Sequence, residues 1–479
     1  MAYRYGNREQ VELLPPSIED YIDEANPVRA YNALIEALDF QALGIDLNFC
    51  RVGNPQYDPR SMLKLLVYGY SYGVKSSRKI ERECHHNMAF IWLMGGLKPD
   101  HKTIAEFRRK NKKALKLVLK QCVRICVDLN LIGGNVLFVD GTKIRANAGR
   151  HRTYDRKQCR KELAKIDDRI VQLLEECEAA DQAEAGQGSY VVMSEELSKA
   201  ENLRERIQAA LNRIETTDQE RVNLTDPDCR LMKSVQGSHA SYNVQGVVDD
   251  QNGLIAHADA VTDPTDIGQL AEQIDRANEQ IGKKCKTACA DAGYSDSQKI
   301  EKLETQGIEV VVPSQRQALH KEEGPFSKSR FRYDAERNCY ICPEGHALNH
   351  QWTDKQSGKV HYRMADRTTC QQCPHYGKCT SAKRGRKIVR LPNEEAKQRF
   401  ERIYEQNLEL YARRKTRAEH PFGHIKRNLH TDSFLLRGRD GAQAETSILA
   451  TCFNVARMIT IFGMGTLLAR LSALGNMSC

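Results

Sequence analysis

Nowhere in the chain do eighteen uncharged apolar residues run together, the length a helix needs to cross a bilayer. The most apolar stretch, 447–475, is broken by Arg457 and Arg470 and reads as buried terminal helices. The opening MAYRYGNREQ has no apolar core of the kind a secretory signal carries. A membrane protein is excluded and secretion is argued against. A strong charge excess is also lacking: +9 over 479 residues permits a polyanionic partner without pointing to one. Nor is there a disulfide framework. Of sixteen cysteines, five crowd into 339–379, and the others are scattered, with Cys122, Cys126, Cys289 and Cys452 at apolar positions. A reduced, cytoplasmic chain with one local cysteine site is expected.

The length suits two to four globular units. Residues 1–57 look lightly structured, with Pro15-Pro16 and a helix expected over 28–42. From Asp58 a start signal leads into Met62, Leu65, Leu66 and Tyr70 at helical spacing. Short, Lys/Arg-rich helical segments follow to about residue 132. This texture suits a helix-turn-helix-like DNA-binding unit, and equally a plain helical bundle. NVLFVDGTKI then reads as a strand ending at Asp140. Leu163, Ile166, Ile170, Leu173 and Cys177, and later Ala200, Leu203, Ile207, Ala210 and Ile214, keep a three-four rhythm. They predict a helical hairpin inserted over 152–220, its arms separated by Gly- and Ser-containing residues 185–194. YNVQGVVDD and GLIAHADAVT meet across Gln251-Asn252-Gly253, a hairpin signal. Helix, strand with Asp291 near its end, helix and strand complete an α/β order. An antiparallel start and parallel continuation match ribonuclease H topology without singling it out. The expected domains are 1–132, 133–314, a cysteine-rich 315–395, and 396–479. In 411–440, eight Lys/Arg face three acids, a local excess more telling than the overall charge.

Asp140 and Asp291 each follow apolar or small residues and precede a small-residue turn. A carboxylate there is partly desolvated and needs a cation to stay ionised; two such groups aimed at one point suit hard divalent ions. On texture alone an ordinary strand-end turn acid fits as well. Cys339-x₂-Cys342 and Cys370-x₂-Cys373 have the spacing of a four-thiolate zinc site, with Cys379 as a fifth thiol.

VDGTKIRANA, YNVQGVVDD…AHADAVTDPTD, ADAGYSDSQKI and YARRKTRAEHPFGHIKRNLHTDSFLLRGRDGAQAETSILATCFNVARM, in this order, closely resemble DDE-type transposases of bacterial insertion sequences. The resemblance takes in most of residues 20–460. It implies a ribonuclease H-like catalytic core with an N-terminal helical DNA-binding domain, a helical-hairpin insert and a small zinc-ribbon-like insert. It also implies three acids holding two Mg²⁺, replaceable by Mn²⁺, which fall on Asp140, Asp291 and Glu419. The family's Tyr-Arg-Glu-Lys signature gives Lys426 the right spacing from Glu419. Its arginine position falls on Lys415 and its tyrosine position on Ala412, with Arg414 and Tyr411 one step away. Pro421 requires the helix through Glu419 to kink or to begin nearby. Arg414, Lys415, Arg417, Lys426 and Arg427 are the expected DNA-phosphate contacts. For zinc, the family pattern favours Cys342, Cys370, Cys373 and Cys379, whereas spacing alone takes the two C-x₂-C pairs. The implied function is Mg²⁺-dependent cleavage and strand transfer by a nucleoid-associated protein. It would bind terminal inverted repeats and target DNA as a homodimer on paired ends. A metal-dependent nuclease without strand transfer, and a non-catalytic transposase-derived DNA-binding protein, are the alternatives.

Overall fold

A computed structural model describes residues 16–47, 56–182, 190–217, 219–234, 237–319 and 324–475. Pro15, most of the 185–194 separator and the Cys177 side chain lie outside what is described. The chain is mixed α/β, about half of it helical, and it divides into two compact units. One comprises residues 1–266, 273–285 and 415–479, the other 267–272 and 286–414.

In the first unit the helix Pro59–Ser71 starts where Asp58 accepts the Arg60 N–H at 3.0 Å, with Pro59 in the first turn. Lys112–Asp128 buries Leu115, Val118, Leu119, Cys122, Val123 and Cys126. Both helices, together with Val28–Glu36, pack on the long helix Arg439–Phe462. That helix buries Ala442, Ala444 and every residue from Ile448 to Val455. Its near-continuous apolar sequence is therefore a core signature. No single described helix is long and apolar enough to cross a membrane; Arg439–Phe462 and Met464–Leu474 reach that length only as a pair bent by 116°.

This packing departs from the expected boundary at 132. Much of the apolar face of the N-terminal helices is covered by the helix Arg439–Phe462, so they share its unit. Tyr70 donates to Glu445 at 2.9 Å, the Leu119 N–H donates to Ser447, and the Cys126 thiol meets Met458.

The sheet of this unit is antiparallel. Val136–Arg145 pairs with Gly237–Asp249, which pairs in turn with Arg230–Ser234 and Ile255–Val261. The hairpin turn before Ile255 uses Gly253 at φ +71°. Asn454 of the long helix both accepts from and donates to the Ile255 backbone, fixing helix to sheet. The expectation that the first strand ends at Asp140 is corrected. Gly237–Asp249 is thirteen residues long and keeps pairing through Arg145, so Asp140 stands mid-strand opposite Gly246. Helices Arg156–Gln182 and Tyr190–Thr216 pack around Leu163, Ile207, Ala210 and Ile214 above a short ladder of Thr153–Asp155 with Arg221–Asn223.

In the second unit Thr287–Cys289 and Glu309–Val311 are parallel, joined by the helix Ser297–Thr305, which Asp296 caps. The cysteine-rich segment forms a five-stranded antiparallel sheet: Arg332–Asp334, Cys339–Ile341, Ala347–Thr353, Val360–Met364 and Lys387–Arg390. Its core holds Phe331, Tyr340, Leu348, Tyr362, Met364 and Ile388. Helix Glu394–Gln406 follows, then Leu408–Arg417, whose last three residues belong to the first unit.

Candidate active site

In the first unit, the helix Glu419–Arg427 lies across the sheet at Asp140. The preceding helix ends at Arg417, and Ala418 keeps αR angles between the two. Pro421 thus falls in the first turn of a new helix, where its missing N–H leaves no bond unmade. Glu419, Phe422 and Lys426 follow at three- and four-residue spacing and share one face. Phe422 packs on Gly246: a Cβ there would stand 2.8 Å from the ring. Pro421, Phe422 and Ile425 close a small apolar space with Ile144, Val244, Gly246 and Val248. Because directly opposed residues of a ladder project to one side, Asp140 points to the side that the helix covers.

Lys426 donates to the Thr142 hydroxyl, two residues along from Asp140. Burial pushes the Lys426 ammonium below its usual range, and the Asp432 and Asp140 carboxylates oppose that shift. Asp140 is half-buried and accepts the Gly141 N–H at 3.0 Å; Glu419 is exposed at the helix start, where the helix dipole favours an acid. The chain after the helix returns to the same strand. The Arg145 N–H donates to the Asp432 carbonyl and the Phe434 N–H to that of Arg145, extending the ladder beside Thr142. Asp140, Glu419 and Lys426 are therefore gathered on one side of one sheet.

Asp291 belongs to the second unit. It follows the buried strand Thr287–Cys289, and its carboxylate accepts the Gly293 N–H at 2.7 Å, capping a 3₁₀ turn. Tyr411 stands near it, with Arg414 beside the Tyr411 ring. Burial raises the Tyr411 phenol, the Arg414 guanidinium draws it back, and the Tyr404 phenol and Asp291 charge push it up. Arg414 sits 5.7 Å from the Tyr411 ring centre, and Tyr404 meets that ring edge-on at 5.0 Å. Ala412 and Lys415, the positions picked by strict spacing, are exposed. Tyr411 and Arg414 keep an i, i+3 spacing, one residue out of step with Glu419. The extra residue falls at the helix break.

The basic residues divide. Lys415 and Arg427 are exposed, whereas Arg417 pairs with Asp250 at 3.6 Å beside the Gly253 turn. In the N-terminal helices Arg108 is buried and donates to the Lys75 carbonyl and the Ser77 hydroxyl. Lys116 pairs with Asp440 and Lys120 with Glu279. Arg82, Lys102, Arg109, Lys110 and Lys113 remain exposed.

In the cysteine-rich sheet Cys342, Cys370, Cys373 and Cys379 line one cavity of about 30 Å³ with His375 and Arg386. Burial and the three neighbouring thiols raise the Cys379 thiol against the pull of Arg386. The His346 and Arg386 backbone N–H groups donate to the Cys342 and Cys370 sulfurs at 3.3 and 3.4 Å. Cys339 is buried elsewhere and does not line the cavity. Among the described residues no three His, Cys, Asp or Glu side chains stand pre-arranged around a metal-sized point.

Residues 16–110 match the family model "Transposase domain (DUF772)", and residues 341–459 match "Transposase DDE domain". The second match spans Glu419 and Lys426 but neither Asp140 nor Asp291. No curated protein matches the chain, and no solved structure does. The two matches support a DDE-type transposase acting on DNA.

Proposed function

We propose that the chain is an insertion-sequence transposase of the Tyr-Arg-Glu-Lys group. In this reading it binds the terminal inverted repeats of its element, cuts DNA at the element ends and joins them to target DNA. The observation that carries this reading is the Glu419 helix laid over the Asp140 strand, with Lys426 on the same face. Asp140, Asp291 and Glu419 are the proposed ligands of two Mg²⁺ in a ribonuclease H-like core. Their donors are all carboxylate oxygens, the chemistry Mg²⁺ selects. Bound magnesium supplies activation of the attacking oxygen and stabilisation of the leaving oxygen.

The protein's own groups do the rest. Lys426, fixed against Thr142, holds a non-bridging phosphate oxygen near Asp140. Arg414, steadied by Tyr411, and the exposed Lys415 and Arg427 take neighbouring phosphates. Each step is an in-line displacement at phosphorus. Water first forms a P–O bond as the 3′ oxygen leaves, and that 3′-OH then attacks a target phosphate and expels its 3′ oxygen. No covalent protein–DNA bond is needed, so Tyr411 is a positioning residue.

We further propose a structural zinc held by Cys342, Cys370, Cys373 and Cys379. Four thiols around one cavity and two N–H···S bonds support this donor set.

The test is joining of pre-cleaved element ends to plasmid DNA by D140A, D291A and E419A, each with DNA binding measured in parallel. All three should lose joining and cleavage while still binding DNA, and Mn²⁺ should replace Mg²⁺. Normal joining by D140A or D291A overturns the mechanism, and normal joining by E419A overturns the third-acid assignment. Cleavage without joining by the native chain identifies a plain nuclease. Binding with no metal-dependent cleavage identifies a non-catalytic DNA-binding protein.

A further inference from the structure

The cysteine-rich sheet has two unlike faces. One carries the aromatic and aliphatic core of Tyr333, Tyr340, Leu348, Tyr362 and Ile388. On the other, register places Arg363 opposite Lys387, and Trp352 opposite His361. Trp352 reaches that face because of a bulge between His350 and Trp352. Strict alternation would put the two on the same side, but His350 pairs with core-facing Tyr362 and Trp352 with His361. Bulges are a means of re-aiming a side chain.

The indole stacks flat on His361, with centroids 3.9 Å apart and planes within 10°. The Lys387 ammonium lies 5.9 Å from the ring centre. With one face covered, Trp352 still exposes 51% of its surface. A large aromatic held rigidly in water, beside cations, is an unfinished stack.

Charge points to what completes it. Residues 346–390 hold ten Lys/Arg against only Asp354 and Asp366, a net +8 of the chain's +9. Arg386 and Arg390 serve the fold through Phe326, Cys379 and Glu395. Lys355, Lys359, Lys383, Arg384 and Lys387 are exposed. A rigid aromatic platform amid mobile cations is how sequence-tolerant proteins hold unpaired nucleic acid: bases stack while cations follow the phosphates. Duplex bases are already stacked on each other and cannot use the ring.

We propose that this face binds single-stranded DNA, one unpaired base stacking on Trp352 while Lys387 and its neighbours take the flanking phosphates. The choice of DNA rests on the transposase reading; the stacking site does not depend on the proposed catalytic acids.

The chain has only two tryptophans, Trp92 and Trp352, so W92F makes Trp352 the sole reporter. Without metal, a short oligothymidylate should quench its fluorescence saturably, and a duplex of equal length far less. Binding followed by anisotropy of a labelled oligothymidylate needs no change at Trp92. In that assay W352A should weaken affinity about tenfold, W352F should retain most of it, and K387A should lower the log-affinity versus log-salt slope by about 0.7. Absent quenching, or W352A binding like the native chain, overturns the proposal. So does an equal loss on single strand and duplex, which would mark a plain backbone contact. An oligouridylate binding tenfold tighter than the oligothymidylate overturns it in favour of RNA. Because no cleavage is read, failure here leaves the catalytic assignment standing, and failure of joining leaves this one standing.

Discussion

Glu445 is a carboxyl group 1% exposed inside the first unit, accepting from the Tyr70 hydroxyl and from the Leu435 and Leu436 N–H groups. Burial nevertheless raises it above the usual carboxylate range, outweighing those bonds and nearby Arg108. A raised folded-state pKa favours the protonated form, so this contribution is complete below the unfolded value of 4.5 and is lost as pH climbs through the folded value. E445Q keeps acceptors for the loop and removes the ionisation. Its stability relative to the native chain should therefore improve as pH rises from about 4.5, while E445A should lose roughly 3 kcal/mol through orphaned donors; urea unfolding across pH checks both. His257 works in the opposite direction. It is buried, and desolvation lowers it to about 4 against the pull of Asp259 and of Gln280. Stability drains away as pH falls from 6.5 toward 4, and H257L should flatten that part of the acid-unfolding curve. Neither residue announced itself in the sequence, since one acid among sixty-three carries no mark of its burial. Asp140 and Asp291 stand out in the sequence as candidates because apolar neighbours flank them. Tyr411 and Arg414 are weaker candidates, one step off the pattern.

Phe422 on Gly246 joins the helix that carries Glu419 and Lys426 to the strand that carries Asp140. A methyl group at Gly246 enters space the ring fills, with a Cβ only 2.8 Å from it, so the helix must lift or the ring turn. G246A should cost about 1–3 kcal/mol and reduce strand joining more than DNA binding, and G246A with F422L should recover part of both. Thermal unfolding and the joining assay on the single and double variants test this. Most such elements were foreseeable from periodicity and start signals: Asp58-Pro59 opens a helix, Asn252-Gly253 turns a hairpin, and Leu163 to Leu173 keep a helical rhythm. The end of the Asp140 strand was not, because its length is set by a partner about a hundred residues away. The Ala418 break was visible only as Pro421 and a mismatch in spacing. The bulge before Trp352 has no local signature at all.

Across the whole molecule, cooperativity runs between distant parts of the chain. The helices expected to stand alone before residue 132 bury Leu63, Leu66, Leu119 and Cys126 where the helix Arg439–Phe462 passes. Each such side chain stabilises by about 1.5–3 kcal/mol when covered, so a chain truncated at 436 should bind element ends poorly and show weak amide protection in its first helices by hydrogen exchange. A basic, helical texture could not reveal this, because it records which faces are apolar and not which partner covers them. Zinc should act more locally: C373S should lower bound zinc by elemental analysis and increase protease cleavage within 315–395, with the first unit unaffected.

The covering of the first helices by the last long one has a consequence for biosynthesis. A ribosome makes residue 28 long before residue 458, and until residues 439–462 emerge, the early helices hold an apolar face that the long helix has yet to cover. Packing of these helices must therefore wait until the segment that forms Arg439–Phe462 has been made. An arrested nascent chain lacking residues beyond 438 should be a client for chaperones and inert toward element ends.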